Sequence, residues 1–210
     1  MLKKKPLNAA LRLTLVIGKA DAAPRSVREI AESAFNGGAT ALQLREKTLP
    51  DREFYEEALE LAALCRERGK LFIVNNRIDI ALAVKAGGVH LGEGDIPVAA
   101  AAEILPKKAI LGYSASSPES GRKALLEGAD YLGVGALFPS PSKPEAPVIP
   151  AEAIAGIVAL RYPTVGIGGI TEANSNLAWA HGFNGLALIS ALTRAEDPAA
   201  AAEKILSGCI

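Results

Sequence analysis

The chain has 210 residues, 50% hydrophobic and 22% charged, which supplies enough apolar material for a sizeable core and rules out a disordered chain. Its 23 Lys and Arg balance 23 Asp and Glu, so no global positive field exists to hold a nucleic acid or an anionic membrane. Any anion must be gripped by a local cluster.

The start, Met1-Leu2-Lys3-Lys4-Lys5-Pro6, is basic, but the apolar stretch after it is broken by Asn8, Arg12 and Thr14. That pattern argues against a signal peptide or a spanning helix and for a cytoplasmic protein. Short β-rich runs then alternate with helix-patterned segments. Strands are predicted over 11–18, 39–45, 71–75, 88–92, 109–114, 131–135, 164–168 and 185–190, most of them continuous apolar runs of the kind that strands covered on both faces require. Between them, Val27, Ile30, Ala31 and Ala34 share one helical face, as do Phe54, Ala58, Leu61 and Cys65. Ser26 with Glu29 spells a capping box, Thr48 with Asp51 offers another, and Pro118 suits a first turn after Ser117. Gly37, Gly69, Gly87 and Gly128 stand where helices should stop. The two cysteines, Cys65 and Cys209, make no disulfide framework, and Cys65 reads as a buried thiol in a reducing compartment.

Eight strands alternating with eight helices predict the α/β class and a single (β/α)8 TIM barrel, one domain over residues 1–210. A doubly wound open sheet is the alternative. Against it, Lys19-Ala20-Asp21-Ala22-Ala23-Pro24 after the first strand lacks the glycine pattern of a dinucleotide fold.

In such a barrel the reacting groups lie at the C-terminal ends of the strands, so polar residues closing apolar runs are the candidates. Strand 2 closes with Gln43-Leu44-Arg45-Glu46-Lys47, where alternation turns Gln43, Arg45 and Lys47 to one side. Asn75-Asn76-Arg77 and His90-Leu91-Gly92-Glu93-Gly94-Asp95 set amides beside carboxylates on adjacent loops, a donor set for Mg²⁺. Asp95 can equally cap the helix opening at Pro97, and His90 reads as a packed histidine rather than a base. Strand 5 ends at Ser114. The 136–147 connection after strand 6 is long enough to be a lid or binding loop, and its Ser140, Ser142 and Lys143 are spaced to touch an anion. Gly168, Gly169, Ile189 and Ser190, after strands 7 and 8, fit a phosphate pocket built from backbone N–H groups. Arg45, Lys47 and Lys143 for one phosphate cluster and the glycines for another imply two phosphorylated small-molecule substrates.

Five segments in order carry a resemblance: Gln43-Leu44-Arg45-Glu46-Lys47; Asn75 with Arg77-Ile78-Asp79-Ile80-Ala81-Leu82; Val89-His90-Leu91-Gly92 with Asp95; Asp130-Tyr131-Leu132-Gly133-Val134-Gly135; and Gly168-Gly169-Ile170. Over nearly its whole length the chain resembles the thiamine-phosphate synthase and thiazole tautomerase superfamily, and the synthases more than the tautomerases. The resemblance implies a transferase of thiamine biosynthesis that joins hydroxymethylpyrimidine diphosphate to thiazole phosphate, releases pyrophosphate, uses Mg²⁺ on the diphosphate and passes through a pyrimidine carbocation. By position it implies that Gln43, Arg45, Lys47, Asn75, Ser114 and Lys143, with Ser140 and Ser142, hold the pyrimidine diphosphate, and that Gly168, Gly169, Ile189 and Ser190 hold the thiazole phosphate. Arg45, Lys47, Ser114 and Lys143 would be the catalytic groups, and Asp95, with Asn76 and Glu93, the metal site. A homodimer is compatible with it.

The sequence departs from the synthase pattern at Asn76, where a metal-binding aspartate is usual, and at Glu93, where glutamine is. Ser140 and Ser142 replace threonines, and Ser116 replaces a histidine that the tautomerases use in catalysis. Glu93, on a loop made pliable by Gly92 and Gly94, could return the charge lost at Asn76. The alternatives are a weakened or repurposed homologue, either a tautomerase-like enzyme or a barrel that only binds phosphorylated ligands.

Overall fold

The computed structural model describes residues 4–140 and 147–208. Helix α1 (Lys4–Ala10) precedes β1 (Leu13–Ile17), and α2 (Lys19–Ala22) and α3 (Val27–Asn36) follow it. Then come β2 (Ala41–Leu44), α4 (Asp51–Glu67), β3 (Leu71–Asn75), α5 (Ile78–Ala83), β4 (Gly88–Leu91), α6 (Val98–Ile104), β5 (Ile110–Ala115) and α7 (Pro118–Leu126). The chain closes with β6 (Tyr131–Val134), α8 (Ala151–Val158), β7 (Thr164–Ile167), α9 (Ser175–Ala180), β8 (Gly185–Leu188), α10 (Ser190–Thr193) and α11 (Pro198–Ser207). The strands pair in parallel in chain order, and β8 returns to β1, which makes a closed (β/α)8 barrel.

Each strand begins and ends within two residues of its predicted run, because a strand covered on both faces needs apolar side chains at nearly every position. The outward set, such as Leu13, Leu15, Ile17, Leu42, Leu44 and Val74, packs under the helices in one large cluster. The inward set, Val16, Ile73, Tyr131, Val165 and Ala187, makes a second cluster joined by Leu7 of α1 and Leu11. The N-terminal segment, read in the sequence only as a broken apolar stretch, thus helps close the lower end of the barrel.

At α3 the capping box forms: the Glu29 N–H donates to Ser26 Oγ at 3.2 Å and the Ser26 N–H donates to the Glu29 carboxylate at 2.8 Å. Ser117 and Pro118 open α7 as expected. Two local expectations need correction. Helix α4 starts from Pro50 without a side-chain cap, so Thr48 is not its cap, and Asp51 instead pairs with Arg77 at 2.7 Å. Helix α5 ends at Val84 with Lys85 in the left-handed region (φ 54), so Gly87 is not its stop. Gly87 leads into β4, where an added Cβ would lie 2.7 Å from Leu71 Cδ1. Cys65 is buried and unpaired, and burial pushes its thiol up to about 12; Cys209 lies outside the described residues. Among the described residues no helix is long and apolar enough to cross a membrane.

Candidate active site

A cavity of about 220 Å³ opens at the C-terminal end of the barrel. Side chains build one of its walls. Gln43 and Arg45 reach it from β2 and the loop beyond, Asn75 from β3, His90 from β4 and Ser114 from β5. They meet because parallel register sets Asn75 beside His90, His90 beside Gly112, and Gly112 beside Tyr131. Asn75 Nδ2 donates to Gln43 Oε1 at 3.3 Å and to the His90 carbonyl at 3.4 Å. The His90 ring lies between the Tyr131 hydroxyl, 2.8 Å from Nδ1, and Ser114 Oγ, 2.9 Å from Nε2. Burial lowers His90 to about 4 and raises Tyr131, so at neutral pH both are uncharged.

Backbone builds the opposite wall. Gly168 (φ 97) and Gly169 (φ 67) occupy the left-handed region, and a Cβ on Gly169 would stand 2.4 Å from the Phe138 carbonyl oxygen. The loop after β6 lies directly on them, with the Leu137 N–H donating to Ile167 O and the Phe138 N–H to Gly168 O, both at 3.0 Å. Asn174 braces the turn from below: Nδ2 donates to Gly169 O at 3.0 Å, and Oδ1 accepts from the Thr171 N–H at 2.8 Å. A smaller recess, lined by Ser140, Gly168, Gly169, Ile189 and Ser190, adjoins the main cavity and shares Ser140, Gly168 and Ile189 with it.

Lys47 does not line the cavity; β2 ends at Leu44, so strand alternation stops before Lys47, which is exposed at the rim. Glu46 turns away from Arg45 to accept a hydrogen bond from the Lys19 N–H, and its negative charge faces Glu57 of α4. Burial first, and Glu46 second, lift Glu57 to about 7. Ser142 and Lys143 lie outside the described residues.

Asn76, Glu93 and Asp95 sit on neighbouring loops outside the cavity lining. Asn76 is left-handed (φ 65), a conformation that Asn tolerates better than most residues, and its N–H donates to His90 O at 2.9 Å. Asp95 does not cap α6, whose N-cap is Pro97; its Oδ2 accepts from the Gly92 N–H at 2.7 Å and closes its own loop. Among the described residues no group of three His, Cys, Asp or Glu could hold a metal by itself. One anchored carboxylate, one amide and one exposed carboxylate are instead the donor set that Mg²⁺ accepts when phosphate oxygens complete the shell.

Three contributors escaped the sequence reading. Tyr131 lines the cavity from a run that otherwise reads as apolar strand. Thr14 lines it too, with a buried hydroxyl that has no partner among the described residues. Asn174 lies beyond β7 at the N-cap of α9, where the sequence offers only a helix-start signal.

The family model "Thiamine monophosphate synthase" matches residues 13–192. A thiamine-phosphate synthase of Haloquadratum walsbyi is 42% identical over 203 residues, covering 95% of this chain and 91% of its own. One from Moorella thermoacetica is 45% identical, covering 86% of this chain and 87% of its own. The solved thiamine phosphate pyrophosphorylase of Pyrococcus furiosus superposes with a TM-score of 0.88 at 40% identity, covering 97% of both chains.

Proposed function

Given that this chain belongs to the thiamine monophosphate synthase family, we propose that it joins hydroxymethylpyrimidine diphosphate to thiazole phosphate and releases pyrophosphate. The observation that carries this reading is the cavity with two unlike walls, one of polar side chains and one of glycine backbone, open to a single space. Gln43, Asn75 and Ser114 meet the polar edge of the pyrimidine, and Arg45, Lys47 and Lys143 neutralise its diphosphate, with Ser140 and Ser142 as further hydroxyl donors. Gly168, Gly169, Ile189 and Ser190 take the thiazole phosphate. The bond between the pyrimidine methylene carbon and the diphosphate oxygen breaks with its electron pair leaving on pyrophosphate, and the thiazole nitrogen lone pair forms the new C–N bond. No side chain has to remove a proton for this exchange, so a buried neutral His90 is compatible with it. What the step needs is charge stabilisation at the leaving oxygens, the work of Arg45 and the two lysines. Val16, Val165 and Ala187 on the cavity floor keep water from the electron-poor carbon. Asp95, with Asn76 and Glu93, would hold Mg²⁺, which when bound spreads the charge of the departing diphosphate.

The test is an end-point assay for thiamine phosphate and pyrophosphate with both substrates and Mg²⁺. Equimolar appearance of the two products is expected. Binding of thiazole phosphate without turnover, or without binding of the pyrimidine diphosphate, overturns the proposal in favour of a ligand-binding barrel.

A further inference from the structure

Among the inward-facing glycines of the barrel, Gly112 and Gly133 leave spaces that a single pair of residues fills. A Cβ on Gly112 of β5 would sit 2.2 Å from the Tyr131 ring, and one on Gly133 of β6 would sit 2.9 Å from His90 Cε1. The barrel thus gives up apolar packing at two positions to hold a tyrosine and a histidine against each other in its interior. Neither group touches solvent appreciably, with Tyr131 at 2% and His90 at 8% exposure, and neither reads as a base or nucleophile.

Their hydrogen bonds have a direction that can be traced from one fixed point. The His90 backbone carbonyl can only accept, so the Asn75 side-chain atom facing it at 3.4 Å is the NH₂ group. That NH₂ also donates to Gln43 Oε1 at 3.3 Å. Gln43 is left with its own NH₂ to donate, and its side chain faces the Tyr131 phenol, which it holds down slightly against the larger upward push of burial. The phenol has one proton, and its remaining partner is His90 Nδ1 at 2.8 Å. A buried neutral imidazole carries a single N–H, so with Nδ1 accepting, the proton resides on Nε2 and is donated to Ser114 Oγ at 2.9 Å. Ser114 cannot return its proton to the ring. In this tautomer its O–H is left to turn to the cavity that Ser114 lines.

We infer that Tyr131 and His90 act as positioning residues whose one-way hydrogen-bond chain, running from Asn75 through Gln43 to Ser114, presets the Ser114 hydroxyl as a donor toward an acceptor atom of the pyrimidine diphosphate. The inference rests on the assignment of this cavity to that substrate. The gain is preorganisation: the ligand meets a donor already aimed, with no rotor to order and no tautomer to select.

The imidazole nitrogens of ¹⁵N-histidine-labelled protein report the tautomer directly, and a His90→Gln variant identifies the His90 signals against those of His181. The wild-type ring is expected to carry its proton on Nε2, a readout that needs neither substrate nor turnover. Tyr131→Phe, which keeps the ring and removes the hydroxyl, is expected to shift His90 to a mixture with Nδ1–H. It should also weaken pyrimidine diphosphate binding about five- to tenfold while leaving thiazole phosphate binding within about twofold. Ser114→Ala added to Tyr131→Phe should then cost less than it does alone. A wild-type His90 protonated on Nδ1 overturns the inference, even if Tyr131→Phe does not fold. So does a folded Tyr131→Phe protein with an unchanged tautomer, unchanged pyrimidine diphosphate affinity, or additive losses with Ser114→Ala. If the wild-type protein does not bind pyrimidine diphosphate at all, the functional assignment fails and the relay's ligand role falls with it, while the tautomer still shows whether the chain runs in the stated direction.

Discussion

On the proposed assignment, the two walls of the cavity solve the same problem, holding an anionic heterocycle, by different means. The β2–β5 wall uses side chains whose protons and charges are set by neighbours: Asn75 on Gln43, Tyr131 on His90, His90 on Ser114. The β7–β8 wall uses backbone, with two left-handed glycines pressed under the 136–139 segment and pinned by Asn174. The first should therefore respond to charge and protonation, and the second to shape.

The largest effect is expected from shape. Gly169→Val places a β-branched side chain at φ 67 and against the Phe138 carbonyl, which an added Cβ would approach to 2.4 Å. Strain and overpacking together should cost about 2–5 kcal/mol of stability, and thiazole phosphate binding should be lost before pyrimidine diphosphate binding. Thermal melting and calorimetry with each ligand measure both; an unchanged thiazole phosphate affinity would show that the glycines only make a turn. Next is charge. Arg45→Ala should weaken pyrimidine diphosphate binding by about 2 kcal/mol, roughly thirtyfold, and barely move thiazole phosphate. Equal losses for both ligands would dissolve the distinction between the walls.

A smaller effect concerns the metal. Glu93→Gln should lower Mg²⁺ affinity in the presence of the diphosphate about tenfold, and Asn76→Asp in that background should restore it, since hard cations favour carboxylate over amide. Metal titrations followed through turnover decide this; no change on Glu93→Gln would remove Glu93 from the site. The smallest effect is a pH dependence beside the charged wall. Glu57 is raised from the ordinary 4.5 to about 7, so the folded state favours its neutral form. Its contribution to stability is present below the ordinary value and is lost as pH rises through about 7. The group is only half buried and screened by water, so Glu57→Gln should flatten the fall in melting temperature between pH 5 and pH 8 by no more than about 4 °C. Parallel melting curves for the variant and the wild type would rule that out.

Much of the barrel is legible from local pattern. Eight apolar runs mark eight strands because each is buried on both faces, and Ser26 with Glu29 marks a helix start because the cap is made within four residues. Gln43, Arg45, Asn75 and Ser114 stand out as polar residues ending apolar runs, and the barrel brings all four to one cavity. Where local signals compete, the sequence misleads: Thr48 has the chemistry of a cap, but Pro50 occupies the cap position and Asp51 is taken by Arg77. Lys85 carries the left-handed turn assigned to Gly87, because the turn comes two residues earlier than the glycine.

The sequence by itself determined the number and order of the strands, the fold class and which strand ends are polar, because all of these follow from periodicities spanning a few residues. Only the tertiary structure decided what those residues touch. Barrel closure joins Leu7 and Leu11 to the inward-facing cluster of the strands, and places Tyr131 against a histidine 41 positions earlier in the chain. It also decides that His90 is neutral and in what sense its ring is polarised, since both depend on burial and on partners from other strands. Neither has a signature within the reach of a local pattern.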